Sequence, residues 1–275
     1  MRQSGNLSMR LLALPLLLGL AVLVAWPLAS VVIDSFKAED EISLANYIEV
    51  LSSPYYRQSF VTTLGISILT TAIGMAMGIG LAIALRRRSG AVRRFALAIA
   101  SLGANFAGVP LAMAVIILFG MNGFFNIMLA ALGSSAAFNV YSLAGLVIAY
   151  SYFQIMLATL LVTPALEAVK DEFEEAATLM GVSGPRFWLR VGLPVMSRQL
   201  VAIAILLFAN AMGTFATAFS LTGTSVNVVT VSISNLVSGD IFSNPSLANA
   251  IALLLLAVLL APIIASQIFI REERS

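Results

Sequence analysis

The sequence predicts an all-α polytopic membrane protein with six transmembrane helices, both termini in the cytoplasm and a helical cytoplasmic insert between helices four and five. Three observations carry that prediction. Composition is the first: 60% of the residues are hydrophobic and only 10% are charged, with a mean hydropathy of +1.00. Soluble domains carry charge on about a quarter of their residues, so a surface this apolar belongs in lipid. The second is that charges fall in clusters separated by long uncharged runs. The third is that the cations of those clusters gather on one side once the runs are threaded through a bilayer.

The elements follow in order. Between Arg10 and Asp34 lie 23 uncharged residues, and between Arg57 and Arg86 lie 28; each suits one helix, since a span needs roughly 20 apolar residues. The first run, 11–33, is longer than a signal-peptide core of about 7–15 residues and lacks a clean cleavage site. It reads as a retained helix with Pro15 and Pro27 near its ends. An acidic external segment follows, and Pro54-Tyr55-Tyr56 reads as a turn into the second span, 60–85. Residues 95–166 carry no charge, and residues 199–270 carry only Asp240. Each tract has 72 residues, which accommodates two spans and a loop. The expected spans are 95–120, 140–163, 197–220 and 247–270, with loops between Asn122-Gly123 and Asn139 and between Gly223 and Pro245. The run FFNIMLAAL, Phe124–Leu132, is too short to cross and reads as a small helix at the outer surface.

Six crossings place Arg2, Arg10, Arg86, Arg87, Arg88, Arg93, Arg94, Lys170, Arg186, Arg190, Arg198, Arg271 and Arg274 on one side. Only Lys37 and Arg57 remain on the other. Cytoplasmic loops carry the excess of Lys and Arg, so both termini are expected inside. Three crossings in either long tract would scatter the arginines over both faces.

Several classes of function are disfavoured by what the chain lacks. It has no cysteine and no histidine, which removes thiolate sites, the commonest metal ligand and the side chain best suited to proton exchange near neutral pH. No Asp, Glu, Lys, Arg or His falls inside an expected span, whereas proton relays and voltage sensors place ionisable groups there. Sodium coupling through backbone carbonyls at broken helices stays open. There is no GxxxxGK[ST] phosphate-binding loop, no metal cluster and no nucleophile paired with a base. Energy for uphill transport would enter through a partner. No cofactor and no nucleic acid are expected on this chain.

The insert, residues 167–196, is the most informative stretch. Leu166, Val169, Phe173, Ala177 and Met180 recur at steps of three and four and are expected to line one helical face, with Glu167, Lys170, Asp171, Glu174, Glu175 and Thr178 on the other. Gly181 suits a helix C′ position. Ser183 can cap a second short helix with Pro185 in its first turn. Phe187, Trp188 and Val191 would form its apolar side, and Pro194 would end it. Helix-to-helix connections commonly take about 2–8 residues, so an insert this long is expected to dock into another protein, with a helix on the lipid surface or an unstructured loop as the alternatives.

Glu175-Ala176-Ala177, three residues, Gly181, nine residues and Val191-Gly192-Leu193-Pro194 match the EAA…G…IxLP motif of permease subunits in binding-protein-dependent ABC importers. Valine in place of isoleucine is the one departure. On this motif and on the topology of residues 10–270, the chain resembles that family. The resemblance implies a coupling helix, Ser183–Arg190, that sits in a groove of a separate ATP-hydrolysing subunit. Gly181 would give the turn, and Glu175 would face the ATPase. Ala176, Ala177, Pro185, Arg186, Phe187, Leu193 and Pro194 would belong to the same element. ATP and Mg would be held by the partner. The plain alternative for Glu175 is a solvated charge; Phe187 and Trp188 suit core or lipid contact equally well.

The family works as a membrane dimer with a periplasmic or lipid-anchored solute-binding protein, which implies a second permease and a location in the bacterial inner membrane. The run NYIEVLSSPYYRQSFVTTLGIS, 46–67, and the tract GTFATAFSLTG, 213–223, resemble permeases for polyamines, ferric iron, thiamine and 2-aminoethylphosphonate. Members of that group often pair two different permeases, so a heterodimer is expected. Asp34, Glu39, Asp40, Glu41, Glu49 and Asp240 face Lys37 and Arg57 on the outside. Such a balance suits a polyamine, though in this family those loops mainly contact the binding protein. A small polar solute such as a polyamine or an aminophosphonate is expected.

Uncharged polar residues in the spans are the pathway candidates. They are Asn105 beside Gly108 and Pro110, Tyr150, Tyr152 and Gln154 on helix four, and Asn210, Thr214 and Thr217 as a stripe on helix five. Each could equally serve helix-helix hydrogen bonding, worth about 0.6–2 kcal/mol in membranes. Gly74 and Gly78 read as close packing. The rival reading for the whole chain is an ion-gradient-driven secondary carrier with a merely interfacial insert. A membrane enzyme or scaffold would need a catalytic constellation or a soluble domain that the sequence does not contain.

Overall fold

A computed structural model describes residues 4–38, 41–88, 90–133, 137–238 and 243–272, with the side chains of 4–14 and 268–272 among those outside it. Of the acidic outer set and the cationic clusters, Glu39, Asp40, Asp240, Arg2 and Arg274 therefore lie outside the described residues. The chain is helical almost throughout. Helix α1 is Ser4–Ser35; a two-stranded antiparallel pair follows, β1 (Lys37–Ala38) and β2 (Glu41–Ile42). Next come α2 (Ala45–Ser52), α3 (Pro54–Arg86), α4 (Ala91–Asn105), α5 (Val109–Phe119), α6 (Phe124–Ala131) and α7 (Leu143–Ala165). The insert holds α8 (Asp171–Leu179), α9 (Gly184–Phe187) and α10 (Leu193–Val195). The remainder is α11 (Ser197–Met212), α12 (Ala216–Thr222), α13 (Val229–Ser238) and α14 (Pro245–Glu272).

Among the described residues, four helical runs are long and apolar enough to cross a bilayer: Pro54–Arg86, Val109–Ala131, Leu143–Ala168 and Pro245–Gln267. A fifth arises if the run Gly184–Val195 is counted with Ser197–Met212, which meet at a 79° bend. Two of the six expected runs are not continuous helices. The run 95–120 breaks at 106–108, because Pro110 has no N–H for the carbonyl of Phe106 and Gly108 turns with φ of 74°. The run 197–220 breaks at 213–215. The expected loop 223–245 also contains a helix, α13, whose first N–H, at Val229, donates to Thr63 Oγ1 at 2.9 Å. Helix α6 lies where the short apolar run predicts one. Pro54 opens α3 instead of shaping a separate turn, in keeping with proline's fit to a first helical position.

The chain divides into two compact units, residues 1–57 with 232–258, and residues 58–231 with 259–275. In the first, buried Asn46 ties the end of α1 to β1: its amide donates to the carbonyls of Ser35 and Lys37, both at 2.9 Å. Ser35 Oγ donates to Val32 O and so accepts from the Tyr47 hydroxyl at 2.7 Å. In the second unit α7 is the axis. Leu146, Ala149, Tyr150 and Phe153 pack with Ile66, Leu111, Ala218 and Leu221 in one core. Ala158, Val162 and Leu166 pack with Ala82, Phe187, Trp188, Met196 and Leu207 in another. Gly74 and Gly78 let α3 approach α7 closely: a methyl group on Gly74 would sit 2.9 Å from the Gln154 Cβ, and one on Gly78 would strike Ala158. Small residues at such contacts are what membrane helix packing requires.

Candidate functional site

The insert is built from its own local chemistry. Asp171, Glu172 and Glu174 occupy the first turn of α8, where negative charge complements the helix dipole. The helix ends in a Schellman turn. Gly181 N–H donates to Thr178 O and Val182 N–H to Ala177 O, both at 2.9 Å, with Gly181 at φ 74°, a left-handed conformation that glycine adopts without strain. Ser183 is the N-cap residue of α9 by backbone, with Phe187 N–H bonded to its carbonyl, but its side chain makes no capping bond. Pro185 lies in the first turn as expected. Helix α9 then widens into a π-helical turn, Trp188–Gly192, in which Leu193 N–H reaches back to Trp188 O. Pro194 lacks the N–H that would have bonded Arg190 O, so the α-helical ladder is interrupted directly after this turn. Contrary to expectation Pro194 does not end the helix; it lies inside α10.

The expected apolar face is only half correct. Leu166, Val169 and Ala177 are buried, whereas Phe173 and Met180 are exposed. The reason is that Leu166–Ala168 forms a 3-10 turn and Val169 and Lys170 are extended, so the helical phase restarts at Asp171. Phe187 and Trp188 are core residues, with rings 5.4 Å apart and tilted by 74°.

Sequence reasoning missed the residues that hold the insert in place. Arg86, at the end of α3, donates to Val169 O at 2.6 Å and pairs with Asp171. Its guanidinium carbon lies 5.5 Å from the centre of the Trp188 ring. Arg87 pairs with Glu174. A run of arginines after a span announces only sidedness, and nothing local marks Asp171 and Glu174, four and seven positions beyond Glu167, as their partners. What the insert leaves open is an apolar and charged surface. Leu179 is 91% exposed, Met180 74% and Leu189 68%, flanked by exposed Glu175, Ala176, Arg186 and Arg190. Leu193 is half-buried and Pro194 exposed.

In the spans, the two helix breaks are joined. Gly108 N–H, at the start of α5, donates to Thr217 Oγ1 of α12 at 2.8 Å. The carbonyl of Thr214, freed by the 213–215 break, accepts from the Tyr150 hydroxyl at 3.0 Å and from Thr230 Oγ1 at 3.1 Å. Broken helices survive in membranes only where such groups are satisfied again. Asn210, Thr214 and Thr217 do not form one stripe, because the break changes the helical phase: Asn210 is exposed, Thr214 half-buried and Thr217 buried. Asn105 is exposed, with its amide on Ser101 O. Tyr152 is half-buried beside Gly103. Gln154 is fully buried, donating to Leu207 O at 2.8 Å and so bonding α7 to α11.

Comparison with known proteins agrees with this architecture. The family model described as "Binding-protein-dependent transport system inner membrane component" matches residues 74–271. The thiamine transport system permease protein ThiP of Salmonella typhimurium is 29% identical over 203 residues, which are 72% of this chain and 37% of that protein. The sulfate transport system permease protein CysT of Escherichia coli K12 is 26% identical over 183 residues, 66% of this chain and 65% of the relative. The chain thus spans about a third of the length of the thiamine permease it matches. A bacterial ABC transporter for import of the acidic polysaccharide alginate shares the fold at a TM-score of 0.79 and 15% identity, covering 98% of this chain and 96% of that one. The MetNI methionine ABC transporter superposes at 0.54 with 18% identity, covering 78% and 94%. With its family match over residues 74–271 and its EAA motif inside them, the chain belongs to the inner membrane components of binding-protein-dependent transport systems.

Proposed function

We propose that this chain is the permease subunit of an ATP-driven, binding-protein-dependent ABC importer, forming half of a solute pathway and coupling to a separate ATPase through its insert. The observation that carries this reading is the surface formed by Leu179, Met180, Arg186 and Leu189 around Glu175, on an insert anchored by Arg86. Apolar side chains this exposed, rimmed by charge, mark a protein contact. Glu175, Ala176, Gly181, Ser183, Pro185 and Arg186 form the contact itself; Ala177, Phe187 and Leu193 support it from beneath, and exposed Pro194 belongs to its edge. The insert and both termini face the cytoplasm of a bacterial inner membrane, which is crossed six times if each broken run is one crossing. ATP and Mg bind to the partner.

A second permease, a different chain, completes the pathway, and a solute-binding protein delivers to the outer face. Asn105, Asn210 and Thr214, near the two helix breaks, are the pathway residues; discontinuous helices are where transporters expose backbone dipoles to solute. Tyr150, Tyr152, Gln154 and Thr217 support that region through their hydrogen bonds and packing. The relatives are named for thiamine and sulfate, a cation and a dianion, so their names do not fix the charge of the solute here. None of those reported is named for a polyamine, and the narrower expectation reduces to a small polar solute.

Purification of the chain from its native membranes in gentle detergent, with mass spectrometry of what accompanies it, tests the reading. An ATPase and a second permease in stoichiometric amounts are the expected result. A chain that runs alone, and that drives uptake from an ion gradient, would establish the secondary carrier instead.

A further inference from the structure

We propose that the junction of α3, α4 and the start of the insert is a binding site for one anionic phospholipid, whose phosphate sits among Arg86, Arg93 and Lys170. These residues line a cavity of about 380 Å³ together with Thr163, Glu167 and Asp171. Three cations face two carboxylates, and Asp171 is already held by Arg86, which leaves one net positive charge for a monoanionic phosphodiester. The guanidinium groups have donors to spare. Among the described residues, Arg86 Nη1 and Arg93 Nε are buried without a hydrogen-bond partner, and an unpaired buried donor on a charged group is costly.

A second, independent feature selects a lipid over a free anion. Helix α4 begins beside the cavity at Ala91 and presents Val92, Phe95, Ile99 and Leu102 at steps of three and four, all well exposed. Val92 opens that stripe one residue before Arg93, about 100° round the helix from it, and the stripe gives an acyl chain an apolar track along the outer side of α4. Basic pockets between helices on the cytoplasmic side of a membrane hold anionic headgroups in this manner. The proposal rests on the orientation given above only for the choice of leaflet.

Lipid counting by native mass spectrometry tests it. The full chain, with whatever proteins co-purify, is stripped in neutral detergent and titrated with phosphatidylglycerol or phosphatidylcholine; equilibrium dialysis with inorganic phosphate runs alongside. One phosphatidylglycerol retained per chain, at least about tenfold tighter than phosphatidylcholine, is the expected result. At about fivefold per cation removed, the double variant Arg93→Gln/Lys170→Gln weakens retention about 25-fold, while Arg88→Gln, outside the cavity, leaves it unchanged. Equal retention of both lipids, indifference to the double variant, or binding of inorganic phosphate without lipid would each overturn it. The assay needs no ATPase, so its failure is separable from failure of the importer reading.

Discussion

The backbone N–H of Gly108 donates to the hydroxyl of Thr217 at 2.8 Å, so a break in one membrane run is closed by a side chain from just beyond the break in another. Thr217 is fully buried, and without it the Gly108 N–H has no acceptor. Thr217→Val is nearly isosteric and exchanges only the hydroxyl for a methyl group. It is expected to destabilise the protein by about 1–2 kcal/mol, read as a lower thermal midpoint in detergent, with Thr217→Ser close to wild type. An unchanged midpoint in the valine variant would refute this role.

Arg86 fixes the insert by three contacts at once: the Val169 carbonyl, the Asp171 carboxylate and the face of Trp188. Their weights differ. Asp171 is 85% exposed at its side chain, and an exposed ion pair is worth about 0–1 kcal/mol. The prediction is therefore asymmetric. Arg86→Gln loosens residues 169–196, seen as faster amide exchange there, while Asp171→Asn changes exchange little. Equal effects would mean that the ion pair, and not the buried half of the guanidinium, carries the anchor.

Gly181 stands at φ 74° with open space around its Cα, so a substitution meets a backbone obstacle and no steric one. Gly181→Val is expected to cost about 1–2 kcal/mol locally, to leave membrane insertion intact and to uncouple ATP hydrolysis from uptake. Gly181→Asn, which tolerates left-handed geometry, should retain most transport. Wild-type transport by the valine variant at matched expression would remove Gly181 from the coupling account.

Two glycines two residues apart on α3, on opposite sides of the helix, make a clean contrast. A methyl group on Gly78 would strike Ala158, whereas one on Gly80 meets nothing within 4 Å. Gly78→Ala is expected to lower the thermal midpoint by several degrees, since overpacking costs about 1–3 kcal/mol; Gly80→Ala is expected to be neutral. Similar behaviour of the two would contradict the contact between α3 and α7.

Much of this was readable from residues alone. Charge-free runs marked the apolar tracts, and the turn at Gly181 was predicted from one glycine after an acidic amphipathic stretch, because a C′ position has few other solutions. The breaks in the third and fifth runs were harder. Pro110 and Gly108 signalled the first, but Gly213 is an ordinary residue in a membrane helix and gives no such signal. Helix α13 was hidden by the run Val228–Ile233, five of whose six residues are β-branched, which reads as a poor helix former; burial of Val229 and Val231 and the Thr63 bond override that propensity. Anchoring by Arg86 could not be read at all, since the partners lie 83 and 85 positions away.

Contact between the insert and an ATPase can be tested cleanly because the chain contains no cysteine. A single cysteine is placed at exposed Leu189, labelled with a photoactivatable crosslinker and irradiated in native membranes. The expected result is an adduct with an ATPase subunit that is suppressed by Glu175→Arg, and none from the same label at exposed Leu132 beyond α6. Adducts from Leu189→Cys that contain only lipid, with no ATPase, would contradict it.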